Sequence, residues 1–210
     1  MLKIAGFYEM TRPGQPGGSP EKLGTLKRVF EALDYDLGVL DSNVSRHMRE
    51  QGDGIPRGWM SVGDQAHSKV FPVNGFKVGF LVFPPAPERP DFSRITALAQ
   101  KMGSNISLLV GISPWGAAKE REFLRERPLA VDILLGSGSG PAFKAKFPGS
   151  GRTIWVRPYP EGKAVHRISV ASLESRDLEK PWKPGENCNI RLIMLEESIP
   201  RNSNIKEIMR

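Results

Sequence analysis

The residues of this chain that could do chemistry sit where apolar runs break into glycine, serine or asparagine. The run Val131-Asp132-Ile133-Leu134-Leu135 ends in Gly136-Ser137-Gly138-Ser139-Gly140. Glycine tolerates positive φ, so such a turn can gather backbone N–H groups into a nest for an anion. Arg152, Arg157 and Lys163 follow and would add positive charge. The alternative is a relaxed turn that holds nothing. No Walker lysine-Ser/Thr pair and no Rossmann glycine fingerprint accompanies it. A second break is Asp41-Ser42-Asn43, where Asp41 would serve as a general base or weak metal ligand, or would cap a turn. A third is Ser113-Pro114-Trp115-Gly116. Trp115, with Trp155 and Tyr159, would line a pocket for a planar base or sugar, or would pack in the core. Ser113 has no His and acid partners in a hydrolase pattern.

Histidines 47, 67 and 166 show no pair at metal-ligand spacing such as i, i+4 on one helix. Cys188 is the one cysteine, which excludes an intramolecular disulfide and a cysteine zinc cluster and fits a reducing compartment. The expectation is therefore no catalytic residue, no metal ligand and no cofactor. The candidates for ligand binding are Asp41, Ser42, Asn43, Ser113, Trp115, Ser137, Gly138, Ser139 and Arg157.

The chain has 210 residues, 39% hydrophobic and 25% charged, an ordinary composition for a globular domain with a real core. Its formal net charge of +7 favours anionic partners. The charge is interleaved with acids, as in Lys119-Glu120-Arg121-Glu122, and this reads as a solvated surface. The absence of an arginine-rich tract, a helix-turn-helix pattern or an aromatic recognition signature argues against nucleic acid. No apolar stretch approaches the length of a membrane span. The opening MLKIAGFYEM is too short and interrupted for a signal peptide. The expected location is cytoplasmic as written, or periplasmic if a leader has been removed.

The elements that must position these residues follow from periodicity. Residues 2–7 read as a strand and 11–20 as a Gly/Pro loop. Ser19-Pro20-Glu21 reads as a helix start. Leu23, Leu26, Val29, Phe30 and Leu33 form one helical face. A buried strand leads into Asp41, a short helix covers 45–51, and 52–69 reads as loop. Residues 69–84 read as a hairpin about Asn74-Gly75, the pair that supplies a type I′ turn. Asp91 or Ser93 starts a helix to about 102. A strand at 106–113, a charged surface helix at 117–127 and the strand at 131–135 follow. Residues 152–160 and 164–173 read as a second hairpin about Glu161-Gly162-Lys163. A last strand spans 190–195, and Ser203 caps a short helix over 204–209.

The order of these pieces resembles the calcineurin-like metallophosphoesterases, and among them the 5′-nucleotidases of the periplasmic UDP-sugar hydrolase type. The resemblance is carried by ALDYDLGVLDSN, VNGFKVGFLVF, the run from LLVGISPWG to DILLGSGSG, GRTIWVRPYPEGKAVHRISVAS and the closing ESIPRNSNIKEIM. It implies a site in which two metal ions, about 3.5–4 Å apart, clamp a phosphate and activate water. Residue by residue, it places the bridging aspartate at Phe7, the ligand asparagine at Ser42 and the acid histidine at Asn43. It places one ligand histidine at Pro114 and two more at Gly138 and Gly140. The family's opening Asp-x-His strand has no counterpart after Met1.

The expected fold is α/β, a metallophosphatase-like sandwich of mixed β-sheets flanked by helices and lacking the usual first strand. Residues 1–173 would form that domain, and 174–210 an extension packed on it. The expected function is non-catalytic, with binding of a phosphate-containing or other anionic ligand, or of a protein partner. An open sheet edge would recruit that partner or a second copy. The alternative is an active 5′-nucleotidase-like phosphoesterase with an unusual or relocated metal site.

Overall fold

The computed structural model describes residues 1–8, 20–85, 90–103, 105–159, 163–171, 173, 180–196 and 202–208. Its elements are β1 (Ile4–Ala5), α1 (Pro20–Leu33), β2 (Leu37–Asp41), α2 (Ser42–Glu50), β3 (Trp59–Val62), β4 (His67–Val73), β5 (Phe76–Val82), α3 (Phe92–Gly103) and β6 (Leu108–Ser113). Then come α4 (Gly116–Glu126), β7 (Ile133–Gly136), β8 (Phe143–Lys146), α5 (Pro148–Gly151), β9 (Ile154–Arg157), β10 (Ala164–Val170), β11 (Cys188–Met194) and α6 (Ser203–Ile208). They divide into two compact units, Met1–Asp64 with Glu196–Arg210, and Gln65–Leu195. The sequence reading drew its boundary at 173.

The first unit holds a parallel sheet in the order β1-β2-β3. Leu23 and Phe30 of α1 and Val44 and Met48 of α2 pack with Ala5, Leu40 and Trp59 into one core. The i, i+3, i+4 spacing of α1 thus buries one stripe, with Leu26 and Leu33 at its margin. The Trp59 ring lies flat on Gly38, where any side chain would overlap it. Trp59 and Val62 are buried in β3, inside the stretch read from sequence as loop. The helix expected at 45–51 begins at Ser42, directly after β2. Ser19 and most of the 11–20 loop lie outside the described residues.

The second unit is built on a mixed sheet in the order β4-β5-β6-β7-β9-β8. Asn74 and Gly75 take φ of 50° and 83°, which closes the β4–β5 hairpin as expected. Strands β5, β6, β7 and β9 run parallel. Leu81, Gly111, Leu134 and Trp155 stand in register across them, under a layer formed by Ile95 and Ala99 of α3 and Phe123 and Leu124 of α4. Phe80, Val110, Ile133 and Ile154, on the opposite face, are buried as well. Burial on both faces is why these strands read as continuous apolar runs.

The hairpin expected between 152–160 and 164–173 does not form. β9 already has β7 on one side and β8 on the other, so both of its edges are used. β10 pairs instead with β11 as a separate antiparallel ribbon. Glu161 and Gly162 lie outside the described residues. β8 and the short turn α5 were not anticipated. No helix among the described residues is long and apolar enough to cross a membrane.

Candidate functional site

Because β6, β7 and β9 are parallel and in register, their carboxyl ends fall at one edge of the sheet, where ligand sites of α/β proteins lie. Ser113 pairs with Gly136, and Arg157 follows Val156, which pairs with Leu135. The glycine-serine turn leaves the sheet here, and α4 begins beside it.

The concave side of the turn is lined with carbonyls, and they face a cation from the same chain. The Nη1 atom of Arg157 donates to Ser137 O at 3.0 Å, and Nη2 to Gly138 O at 2.8 Å and Ser139 O at 2.9 Å. Nε donates to Pro141 O at 3.1 Å, and Nη1 also to Glu120 Oε2 at 2.5 Å. A guanidinium has five N–H donors, so all of them are committed to protein acceptors. Arg157 is 2% exposed and Glu120 is fully buried.

The Glu120 carboxylate is itself surrounded by donors. Trp155 Nε1 donates to Oε2 at 3.0 Å, and the Ser137 N–H to Oε1 at 3.1 Å. Burial pushes the Glu120 carboxyl above the ordinary carboxylate range, while the Arg157 charge and the bonds from Trp155 and Ser137 pull it back. The sequence reading treated Glu120 as part of a solvated charge run, and the structure corrects this. Glu120 lies three residues after Ala117 and three before Phe123, both buried, so it falls on the inward stripe of α4. An acid on an apolar stripe was the signal available in the sequence.

The remaining candidates of this unit serve the same local architecture. The N–H groups of Gly116 and Ala117, at the start of α4, donate to Ser137 O and Ser139 O at 2.9 and 2.8 Å. The helix N-terminus that could receive an anion is therefore directed at the turn. Ser137 Oγ donates to Ser113 O at 2.7 Å, and Ser113 Oγ accepts from the Trp115 N–H. Trp115 is 5% exposed, donates its indole N–H to Pro84 O at 2.8 Å, and packs against Phe83, Phe92 and Phe123. It is a core residue rather than the wall of an open pocket.

In the first unit, the carboxyl end of β2 carries Asp41, Ser42 and Asn43. Asp41 Oδ1 accepts from the Asn43 N–H at 2.7 Å and caps α2. Asn43 is exposed, and its Oδ1 accepts from Arg46 Nη2. Tyr8, with φ of 69°, has its phenol pKa raised by burial and by the Asp41 charge. Phe7 is 3% exposed, a buried apolar residue. Cys188 is buried in the ribbon, and burial raises its thiol pKa, the opposite of an activated cysteine.

A pair of divalent ions requires carboxylate, imidazole or amide donors. Pro114, Gly138 and Gly140 have none, and the carbonyls converging at the turn are bonded to a guanidinium. The residues of this edge do not fit a metal pair. Among the described residues, no three His, Cys, Asp or Glu side chains group as metal ligands.

No family model matches the sequence, and no curated protein matches it. Solved structures do match the fold. The NAD nucleotidase of Haemophilus influenzae aligns over 99% of this chain and 51% of its own, with TM-score 0.59 and 10% identity. A 5′-nucleotidase from Candida albicans aligns over 93% of this chain and 43% of its own, with TM-score 0.55 and 16% identity. The chain spans about half the length of either. Its fold is the metallophosphatase-like α/β fold of these proteins, with mixed sheets flanked by helices.

Proposed function

We propose that this chain is a non-catalytic domain of the 5′-nucleotidase-type fold that works as a binding module for an anionic partner. The observation that carries the non-catalytic reading is the buried guanidinium of Arg157, hydrogen-bonded to the carbonyls of the turn at which the resemblance expects two histidine ligands. The buried guanidinium takes up the carbonyl acceptors that a dication would need there, and the turn offers no side-chain donor in their place.

The binding half of the reading is supported elsewhere, on the β10–β11 ribbon. Arg167 and Arg191 stand directly opposite each other on its outer face, both exposed. Neither has an ion-pair partner among the described residues. Val165 and Ile193 are the neighbouring cross-strand pair on that face, 50% and 42% exposed. Like charges directly opposite destabilise a ribbon, and a local rule broken without compensation points to a functional surface. Two opposed guanidinium groups suit a carboxylate or phosphate whose oxygens accept from both.

The deciding experiment is elemental analysis after dialysis against Mn²⁺ and Zn²⁺, with hydrolysis of a chromogenic phosphoester, AMP and NAD measured in parallel. The expected result is no stoichiometric metal and no turnover. Turnover with bound metal would replace this reading with that of an active phosphoesterase whose metal site lies elsewhere.

A further inference from the structure

We infer that the Gly136–Gly140 turn is a guanidinium site, for which Arg157 is a resident and separable ligand. Its acceptors match a guanidinium in number and arrangement. The carbonyls of Ser137, Gly138, Ser139 and Pro141, from five consecutive residues, and one oxygen of Glu120 accept all five N–H groups of the planar cation. The carboxylate supplies one negative charge, and the bound group supplies one positive charge. An ammonium has three donors and no fork, so it leaves acceptors in this cradle unpaired.

The cradle is also held open by contacts that do not involve Arg157. Gly116 N–H and Ala117 N–H bond to Ser137 O and Ser139 O, and Ser137 Oγ bonds to Ser113 O. Trp155 Nε1 and the Ser137 N–H seat Glu120 from the other side. Gly138 and Gly140, with φ of 79° and 109°, keep conformations that a side chain would strain. Site and ligand are thus distinct parts, and the site persists when the ligand is cut away. Wild-type turnover would overturn the non-catalytic reading above and leave this inference standing, because this one concerns what the turn binds.

The test is chemical rescue of Arg157→Ala in the full chain. Truncation leaves Glu120 buried without its counter-charge, and the expected loss is a Tm about 10 °C below wild type. Guanidinium chloride at about 10 mM is too dilute to denature. For a millimolar affinity it raises the variant's Tm by about 4 °C, and leaves wild type unchanged. Ammonium chloride at the same ionic strength and Mn²⁺ give no such rise. If the variant does not fold alone, the readout becomes refolding yield with guanidinium against ammonium. Arg157→Lys, which keeps the charge and loses the fork, is expected to melt below wild type. The inference is overturned by an absent guanidinium-specific rescue, by an equal or larger rescue with Mn²⁺, or by Arg157→Lys as stable as wild type.

Discussion

Gly136 is the floor on which the Glu120 carboxylate rests. A Cβ built on Gly136 would fall far inside van der Waals contact with Glu120 Oε2, and Ser137, the next residue, donates its N–H to the same carboxylate. Gly136→Ala therefore pushes Glu120 away from Arg157 and Trp155. The expected cost is about 1–3 kcal/mol, the range for overpacking a close-packed interior. Thermal or urea unfolding measures it, and a wild-type Tm would mean that Glu120 is not seated on this strand.

His166 gives the fold a dependence on mildly acidic pH. Its ring is partly buried in β10 with Nε2 3.2 Å from Phe143 O, and burial lowers its pKa below the ordinary value. The unfolded chain then binds the proton more readily than the folded one. The stability it contributes is fully present above about pH 6.5, the unperturbed histidine value. It is lost as pH falls through the depressed folded pKa, with a slope of at most about 1.4 kcal/mol per pH unit. His166→Gln is expected to flatten the Tm profile below about pH 6.5. Parallel profiles for the two proteins would remove His166 as the cause.

Tyr8 reports on Asp41. Burial and the Asp41 charge both raise its phenol pKa, so its ionisation, followed at the phenolate absorbance, is expected later than that of a free tyrosine. Asp41→Asn retains a side chain able to cap α2 and removes the charge. The Tyr8 titration is then expected to move down while staying above the ordinary value, since burial remains. The chain has three tyrosines, so the measurement is made with Tyr35 and Tyr159 replaced by phenylalanine. An unmoved titration would show that Asp41 is electrostatically remote.

The opposed arginines of the ribbon make stability and binding change in opposite directions. Arg191→Glu converts a repulsive cross-strand pair with Arg167 into an attractive one, worth about 0.2–1 kcal/mol. The same change is expected to advance elution from a polyanionic matrix. Lys22→Glu, at an exposed position on α1, alters the net charge by the same amount and serves as the reference. Equal elution shifts for the two variants would assign the binding to overall charge and remove the ribbon from the proposal.

The layout of the fold was legible because buried parallel strands announce themselves. Val110 and Ile133, and the residues around them, are apolar on both faces and leave little else for their segments to be. The Asn74-Gly75 hairpin was legible through its required positive φ values. Strand pairing was less so. Nothing near Trp155 in the sequence says that β8 takes the free edge of β9, and that choice sends β10 to β11. The central feature of the site was half visible. Arg157 was read, with Arg152 and Lys163, as positive charge near the turn, yet the join of Arg157 and the turn passes through Glu120, 37 residues away and disguised by charged neighbours. Helical spacing locates an inward acid, but not which strand end completes it.

The backbone of the glycine turn also bears on whether a ligand side chain could be introduced there. Placing histidine at 138 or 140 takes more than a codon change. A Cβ at 138 would lie 2.6 Å from Pro114 O, and one at 140 would lie 2.6 Å from the Ala117 Cβ, each at a φ that side chains avoid. Any imidazole placed there would also compete with Arg157 for the same space and charge. Single substitutions toward a metal site thus lower stability before they confer any affinity, and intermediates of that kind are removed by selection. A variant of this sequence therefore reaches new activity more readily through another surface than by acquiring a ligand set here.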